Sequence, residues 1–280
     1  MDLDMEAVEP LVEKALAEDI GSGDITTDNI FDTDQKGSAE IMTRQAGVVA
    51  GLPLVLAVFK KLDPEIECNF FVSEGEKVEA DTVLAEVSGR IRSLLSGERT
   101  ALNFLQQMSA IATKTAAFVE KAAPYNAKIL DTRKTVPGLR LLAKYAVQMG
   151  GGYNHRFGLY DAALIKDNHI IAAGSIKNAV QMLKNKLPEK TTIEVETETL
   201  KEVREAIEAG TDIIMLDNMS IETMREAVTL ARGKTLLEAS GGITLDSVDK
   251  VAATGVDFIS VGGITNSVDA LDISMEWQPT

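Results

Sequence analysis

Positively charged side chains cluster in one stretch of an otherwise acidic chain. Residues 128–169 hold seven lysines and arginines against three aspartates, and they include both histidines of the sequence, His155 and His169. The whole chain has 280 residues and a formal net charge of −15. Arginine binds planar carboxylates through paired hydrogen bonds, and lysine binds phosphate as a point charge. The cluster therefore predicts a site for small anionic molecules.

Some of these cations directly follow short apolar runs. Arg133 and Lys134 come just after one such run, and Lys166 comes just after the next. In parallel α/β folds, functional groups collect beyond the carboxyl ends of the strands. We therefore assign these three cations to the anion site, whereas a solvated helix face accounts for Arg140 and Lys144.

Two glycine pairs follow the last two apolar runs. Ser240 is followed by Gly241 and Gly242, and Gly262 and Gly263 form the second pair. Backbone N–H groups that no side chain covers bind phosphate, and the final two strand–helix loops of a barrel are its usual phosphate position. A single pair of this kind more often marks a turn, but two pairs at these positions predict a phosphate site.

Carboxylates end the two middle strands. The two-residue period of a strand turns Glu194 and Glu196 to the same face, toward the inside of the sheet. Glu196 and Asp217 have the chemistry of Mg²⁺ ligands, because this hard cation takes one or two carboxylates plus substrate oxygens. For Glu194 an internal ion pair, for instance with Lys166, is the better interpretation.

The second half of the chain repeats a strand followed by an amphipathic helix. Gly210 and Gly233 close the two clearest helical stripes. Such repeats imply a parallel sheet with right-handed crossovers. A complete eight-unit barrel takes about 250 residues, so the remaining length allows a six-stranded barrel or an open doubly wound sheet. The predicted strands are Lys128–Leu130, Ala162–Ile165, Thr192–Val195, Ile213–Leu216, Leu236–Ala239 and Phe258–Val261.

Residues 1–115 mix short helices and strands without regular alternation, which predicts a separate α+β domain. The predicted elements are a helix over Leu3–Ala17, strands over Ser38–Arg44 and Glu67–Val72, a β-hairpin over 72–87, and a long helix that opens at Ser96 and joins the two domains.

Composition narrows the class of protein. An apolar share of 45% with only 5% aromatic residues fits a globular α/β enzyme with an aliphatic core. The acidic balance argues against nucleic-acid and anionic-membrane partners, which need clustered cations. The single cysteine, Cys68, cannot form an intramolecular disulfide, and no apolar run approaches the ~20 residues that cross a bilayer. We therefore expect a cytoplasmic protein.

Eight motifs, in chain order, extend through most of the sequence. They are Glu98–Asn103, Asp131–Thr135, Gly150–Arg156, Leu164–His169, Glu194–Glu196, Met215–Asn218, Ala239–Gly242 and Val261–Thr265. Together they resemble the quinolinate phosphoribosyltransferases, and residues 18–27 are similar to that family's opening. One departure is Asn266, where many relatives carry histidine; an amide can still donate a hydrogen bond to phosphate.

The resemblance implies a reaction and an architecture. Quinolinate and 5-phosphoribosyl 1-diphosphate, hereafter the donor, would give nicotinate mononucleotide, CO₂ and diphosphate with Mg²⁺, in NAD biosynthesis. The implied α/β fold is type II phosphoribosyltransferase-like. It has an N-terminal α/β sandwich over residues 1–115, completed by 265–280, and an incomplete six-stranded α/β barrel over 116–270. A homodimer is also implied, in which the sandwich of one subunit covers the barrel mouth of the other.

The resemblance also implies roles for individual residues. Quinolinate would be held by Thr132, Arg133, His155, Arg156, Lys166 and the partner subunit's Arg99. The donor would contact Lys134, Glu196, Asp217, Ser240, Gly241, Gly262 and Gly263. Glu196 and Asp217 would also bind Mg²⁺, and the expected catalytic residues are Lys134, Lys166, Glu196 and Asp217.

Three other functions fit part of the pattern. A related transferase that acts on another ring, such as nicotinate, would share the donor half, but one carboxylate does not require so many cations. A Schiff-base lyase would use Lys166 as its amine nucleophile. A non-catalytic regulator that binds a phosphosugar would keep the phosphate site without turnover.

Overall fold

The computed structural model describes residues 3–277. Its helices are α1 (Met5–Ile20), α2 (Thr27–Ile30), α3 (Leu52–Leu62), α4 (Ile91–Ala122), α5 (Arg140–Met149), α6 (Asp167–Ala173), α7 (Ile176–Lys184), α8 (Leu200–Ala209), α9 (Ile221–Ala231), α10 (Val248–Ala252) and α11 (Gly263–Asn266). Its strands are β1 (Lys36–Thr43), β2 (Gly47–Val48), β3 (Glu67–Phe70), β4 (Lys77–Val78), β5 (Val83–Arg90), β6 (Lys128–Leu130), β7 (Ala163–Ile165), β8 (Ile193–Thr197), β9 (Ile213–Asp217), β10 (Leu236–Ser240), β11 (Phe258–Ser260) and β12 (Ile273–Trp277).

The chain divides into two compact units. The first is built on the residues up to 116 together with 141–151 and the residues from 267 onward. The second is built on residues 117–140 and 152–266. Each unit has a main sheet of its own, and the two main sheets differ in strand direction. The first unit also contains a two-stranded sheet of β2 and β4.

The first unit contains an antiparallel sheet with the strand order β12-β1-β5-β3. Alternate residues of β1, among them Ala39 and Ile41, are buried, which is the pattern of a strand with one face on a core. On α1 the buried residues Val8, Val12 and Leu16 recur every four positions, so one face of this helix is apolar. Strand β12, from near the end of the chain, completes the sheet beside β1.

Two predictions about the first half of the chain are wrong. The hairpin over 72–87 does not form, because β4 pairs with β2 while β5 pairs with β1 and β3. The long helix α4 begins at Ile91 rather than at Ser96. Ile91 and Leu94 are both buried, so the apolar face of the helix extends one turn and more toward the end of β5.

The second unit contains six parallel strands in the order β6-β11-β10-β9-β8-β7. The strands wind in one direction only, and the first strand lies beside the last. A doubly wound sheet would instead reverse its winding partway across. The order is therefore that of a six-stranded barrel in which, within the described chain, β6 and β7 do not pair with each other.

Local sequence signals explain the helices and strands of this barrel. Helix α8 begins with a capping box between Thr199 and Glu202, and it ends at Gly210, whose φ of 69° is left-handed. In β8 the buried residues include Ile193 and Val195 as well as Glu194, so both faces of the strand are enclosed. That is the usual situation of a parallel strand covered by helices.

Two further features bear on the class of protein. Within residues 3–277, no helix is both long and apolar enough to cross a bilayer. The single cysteine is free, and burial raises the pKa of the Cys68 thiol to about 11. This thiol stays protonated near neutral pH and is therefore a poor nucleophile.

Candidate active site

A cavity of about 590 Å³ opens at the carboxyl ends of the barrel strands. Every strand of the barrel contributes to it directly or through the loop that follows. Its lining includes these residues expected from sequence: Thr132, Arg133, Lys134, His155, Arg156, Lys166, Glu196, Asp217, Ser240 and Gly241. The remaining lining residues are Leu164, Met215, Asn218, Glu238, Gly242 and Ser260.

Two arginines give this cavity its clearest chemical character. The Nε atoms of Arg133 and Arg156 are buried, and neither has a hydrogen-bond partner among the residues that the structure describes. Burial lowers the pKa of the Arg156 guanidinium, and the positive charge of Arg133 lowers it further. Two guanidinium groups that repel each other and keep buried N–H donors unused form a site for an anion.

Backbone contacts hold the Arg156 side chain in place. Its Nη1 donates to the carbonyl of Ala162 at 3.0 Å. The loop between them is closed by Asp161, whose carboxylate accepts from the amides of Phe157 at 2.6 Å and Gly158 at 2.8 Å. The guanidinium is therefore oriented by the fold before any ligand arrives.

Asp131 organises the segment that leads to these groups. Its side chain is fully buried, and its carboxylate accepts from the backbone N–H of His155 at 2.8 Å and from Asn154 Nδ2 at 2.7 Å. A buried carboxylate at the end of β6 thus fixes the start of the next segment. Asp131 is consequently a scaffold residue for His155.

The assignment of Arg140 and Lys144 to a solvated helix face is wrong. Arg140 donates to Thr135 Oγ1 at 3.2 Å and to the carbonyls of Phe157 at 3.0 Å and Arg133 at 3.3 Å. It therefore joins two loops of the site. Lys144 is only 3% exposed.

The carboxylates of β8 have different partners from the ones expected. Lys166 Nζ lies 2.7 Å from Glu196 Oε2. Glu194 instead lies beside His155, with 3.1 Å between its Oε2 and the ring Nε2. The suggested Glu194–Lys166 pair is therefore wrong, because Glu194 points deeper into the barrel, where it is 4% exposed.

The loop after β9 is fitted to the first glycine pair. Asn218 has a left-handed φ of 53°, and its Nδ2 donates to Asp217 Oδ2 at 2.7 Å. Its backbone N–H donates to the carbonyl of Ser240 at 2.9 Å. A Cβ on Gly241, where φ is 95°, would lie 2.2 Å from Asn218 Oδ1. Only glycine fits at position 241, because a side chain there would clash with Asn218.

The second glycine pair adjoins the loop that carries Lys134. The backbone N–H of Lys134 donates to Thr132 Oγ1 at 3.0 Å, so Thr132 shapes the turn between them. Thr265 Oγ1 donates to the Lys134 carbonyl at 2.8 Å. A Cβ on Gly262 would lie 3.0 Å from Lys134 Cδ, and Gly263 begins α11. Neither glycine is among the cavity-lining residues named above.

Arg99 belongs to the first unit, where it is an exposed residue of α4.

Sequence reasoning missed Glu238, which is 1% exposed. A signal was present, because Glu238 lies two residues before Ser240 in an apolar strand and therefore shares its face.

A second hollow, of about 890 Å³, lies at the other end of the barrel strands. Its carboxylates are already engaged with the sheet: Asp212 accepts from the amide of Ile193 and Asp257 from that of Leu237, both at 2.8 Å. It is lined mainly by turns, including those at Gly210 and Gly233. This end of a barrel usually serves stability rather than chemistry.

Comparison with protein families gives two matches that together cover most of the chain. The C-terminal domain of quinolinate phosphoribosyl transferase matches residues 111–276. The N-terminal domain of the same family matches residues 24–109.

Individual proteins are similar over nearly the full length. The chain is 47% identical over 272 residues to a probable nicotinate-nucleotide pyrophosphorylase (carboxylating) of Synechocystis sp., with 96% of this chain and 92% of that protein covered. It is 46% identical over 266 residues to a protein of the same name from Bacillus subtilis, with 95% and 92% covered. The solved nicotinate-nucleotide pyrophosphorylase from Francisella tularensis has a TM-score of 0.96 and 45% identity, with 99% of this chain and 98% of that chain covered.

Proposed function

Since this chain belongs to the quinolinate phosphoribosyltransferase family, we propose that its cavity binds quinolinate and the donor side by side through two distinct sets of residues. The reaction is the family's decarboxylating transfer in NAD biosynthesis, which yields nicotinate mononucleotide, CO₂ and diphosphate. The chain is an enzyme, as the resemblance implied.

The acceptor half of the site rests on one observation, the pair of buried and unpartnered Nε atoms on Arg133 and Arg156. Quinolinate carries two carboxylates on adjacent ring carbons, and each can take paired hydrogen bonds from a guanidinium. Lys166 adds a third cation at the same mouth, where its side chain is 47% exposed. We assign Thr132 and His155 to this half as well, because both line the cavity.

The donor half is assigned to the two glycine pairs and the loop of Lys134. Ser240 and Gly241 offer a hydroxyl and a backbone without a side chain for the 5-phosphate. Gly262 lies against the Lys134 side chain, and Gly263 follows it at the start of α11. The Lys134 ammonium then faces the diphosphate. Glu196 and Asp217 are assigned to the ribose hydroxyls and to Mg²⁺.

The carboxylate oxygens of Glu196 and Asp217 are suitable ligands for Mg²⁺. Both carboxylates line the cavity, and the Glu196 side chain remains 16% exposed. Oxygen ligands from one or two carboxylates, completed by substrate phosphate, are what this cation takes. When bound there, it would neutralise charge on the leaving diphosphate.

The chain's own residues contribute orientation and electrostatics. Arg133 and Arg156 hold the ring so that its nitrogen faces the ribose carbon, while Lys134 stabilises the departing diphosphate. No covalent bond to the enzyme is needed. After the transfer, the 2-carboxylate leaves as CO₂ and its bonding electron pair stays on ring carbon 2, where the adjacent positive nitrogen stabilises it. A proton from water then forms the C–H bond of nicotinate mononucleotide.

A direct assay tests this function. Purified protein with quinolinate, the donor and Mg²⁺ is expected to form nicotinate mononucleotide and one CO₂ for each nucleotide. Carboxyl-labelled quinolinate reports the CO₂, and chromatography reports the nucleotide. Equal turnover with nicotinate, which carries one carboxylate, would contradict the assignment of the acceptor half.

Replacing Glu196 with glutamine tests the metal assignment. We expect the Mg²⁺ concentration for half-maximal activity to rise at least about tenfold, because one anionic ligand is lost, with little change in thermal unfolding. Glu198→Gln, an exposed neighbour, is the matched control. An unchanged Mg²⁺ requirement in Glu196→Gln would remove this residue from the metal site.

Exposed apolar side chains support a homodimer that covers the cavity mouth. Val136, Leu159, Tyr160 and Ile171 are 45%, 73%, 81% and 76% exposed. They lie on the loops that carry Lys134 and Arg156 and on α6, which Lys166 directly precedes. Apolar surface concentrated around a polar site is typical of a protein interface. We propose that a second copy covers it and that the partner subunit's Arg99 reaches quinolinate.

Mixing two inactive variants tests the shared site. If Arg99 acts across the interface, mixing Arg99→Ala with Arg133→Ala under exchange should restore about a quarter of wild-type activity, because half of the dimers then have one intact site of two. Mixing Arg133→Ala with Lys166→Ala is the control and should restore no activity. Both residues belong to the barrel of one subunit, so every site in the mixed dimers lacks one of them. Equal activity of the two mixtures would contradict the proposal.

We also propose that the enzyme works in the cytoplasm. The free cysteine supports this, because oxidising compartments favour disulfides. The net charge of −15 supports partners that are small anions held in one cavity rather than nucleic acids.

A further inference from the structure

The loop that carries Lys134 has no regular secondary structure. Residues 131–139 belong to neither a helix nor a strand, and Lys134 itself is exposed. Among residues 3–277, its ammonium group has no salt-bridge partner. The place of this ammonium therefore depends on how the main chain of the loop is held.

The main chain of Lys134 is hydrogen-bonded on both sides. Its N–H donates to Thr132 Oγ1 at 3.0 Å, and its carbonyl accepts from Thr265 Oγ1 at 2.8 Å. The same Thr265 hydroxyl lies farther from the carbonyl of Gly262, at 3.3 Å. A hydroxyl has one proton to donate, so the nearer Lys134 carbonyl is its acceptor.

The bond from Thr265 joins two loops that are remote in sequence. Strands β6 and β11 pair side by side, and the N–H of Val261 continues this pairing by donating to the Leu130 carbonyl at 3.0 Å. Both strands then end, and Thr265 connects the loops that follow, across 131 positions of the chain. Thr265 is 1% exposed, so packing rather than solvent places its hydroxyl.

The aliphatic part of the Lys134 side chain lies against the same turn. A Cβ on Gly262 would be 3.0 Å from Lys134 Cδ, so the lysine passes close over this glycine. The two main-chain bonds and this contact together define the direction in which the ammonium leaves the loop. Arg133, the preceding residue, is held separately, because its carbonyl accepts from Arg140 Nη2 at 3.3 Å.

We propose that Thr265 is a positioning residue for Lys134, whose ammonium it holds toward the diphosphate of the donor through the hydrogen bond to the Lys134 carbonyl. This inference rests on the proposed donor half. Without the bond the loop relaxes, and a displacement of about 1 Å can cost about 100-fold in rate. Quinolinate binding is expected to change little, because Arg133 keeps its own support from Arg140.

Paired substitutions at position 265 separate the hydroxyl from packing. Thr265→Val keeps the size of the side chain and removes the hydroxyl, whereas Thr265→Ser keeps the hydroxyl and removes a methyl group. We expect kcat to fall at least about tenfold in Thr265→Val, with the quinolinate Kd within about threefold of the unaltered protein. In Thr265→Ser we expect kcat within about threefold. An unchanged kcat in the valine variant, or an equal loss in both, would overturn the proposal.

A second pair keeps the test decisive if valine is not tolerated at this position. Thr265→Ala and Thr265→Ser differ only in the hydroxyl, and the same difference in kcat is expected between them.

Thr254→Val is the matched control. Thr254 is 6% exposed, and its Oγ1 donates to the Val251 carbonyl at 2.6 Å, beside the hollow at the other end of the barrel. The substitution removes the same kind of bond, so we expect a lower unfolding temperature with an unchanged kcat. A loss of kcat equal to that of Thr265→Val would mean that any buried hydroxyl matters, and it would overturn the proposal.

A double-mutant cycle tests whether Thr265 acts through Lys134. Calorimetry with the donor and Mg²⁺ gives the Kd without turnover. We expect Thr265→Val to raise the donor Kd at least about fivefold in the unaltered protein and less than about twofold in Lys134→Ala, where the group to be placed is absent. Equal effects in the two backgrounds would overturn the proposal, since Thr265 would then act independently of Lys134.

The two levels of inference fail in different ways. If Lys134→Ala weakens donor binding and Thr265→Val does not, the positioning role is wrong and the donor half stands. If Lys134→Ala leaves the donor Kd unchanged, the assignment of Lys134 to the donor is wrong, and the positioning role is wrong with it.

Discussion

Arg133→Ala is expected to raise the quinolinate Kd at least about 100-fold while the donor Kd stays within about threefold. The guanidinium has a buried, unpartnered Nε in the cavity, so it binds a carboxylate with little ordering cost. Removing one member of a desolvated charge pair costs about 2–5 kcal/mol. The donor is assigned to other residues and should not sense the change. Calorimetry with each ligand separately gives both constants.

Arg232→Ala is the matched control for this experiment. It removes the same charge from the protein, but Arg232 is exposed and lines the hollow at the opposite end of the barrel. We expect both ligands to bind as in wild type. An unchanged quinolinate Kd in Arg133→Ala would show that Arg133 does not hold the acceptor.

Gly241→Ala is expected to raise the KM for the donor by at least about tenfold and to lower the free energy of unfolding by about 1–3 kcal/mol. A Cβ at this position would lie 2.2 Å from Asn218 Oδ1 and 3.0 Å from the Asn218 backbone nitrogen, and φ is 95°. The loop after β10 must therefore move. This movement displaces the groups that bind the 5-phosphate of the donor, and it displaces the Asn218 side-chain amide that holds Asp217. Steady-state kinetics and thermal unfolding measure the two effects.

Gly233→Ala separates backbone strain from damage to the site. Its φ of 71° is also left-handed, but nothing lies within 4 Å of a Cβ there. We expect a loss of about 1 kcal/mol in stability with an unchanged KM. If Gly241→Ala shows the same donor KM as Gly233→Ala, the loop after β10 does not hold the donor.

Much of the fold follows from patterns within short segments. The six barrel strands are present close to their predicted positions, and the two-residue period correctly turns Glu194 and Glu196 inward. The prediction of a hairpin over 72–87 is wrong because strand pairing does not follow from patterns within a short segment. The sequence shows that β4 and β5 are extended, but pairing partners are chosen by the rest of the core, and here each joins a different sheet.

The sequence by itself determined the kind of site. Cations, carboxylates and glycines fall directly after strands, and parallel strands bring such positions to one edge whatever the details of packing. The order of motifs also identified the family, which the matches confirm. These properties depend on residue type and spacing along the chain, both of which are visible without coordinates.

Only the tertiary structure decided the partner of each charged group. Glu194 and Glu196 share one face of β8, yet one lies beside His155 and the other beside Lys166. Glu238 comes from two strands away, and Lys144 is buried although its sequence context suggests an exposed helix. The physical reason is distance: a hydrogen bond or a protonation state is set by neighbours within a few ångströms, and those neighbours are brought together by packing from remote parts of the chain.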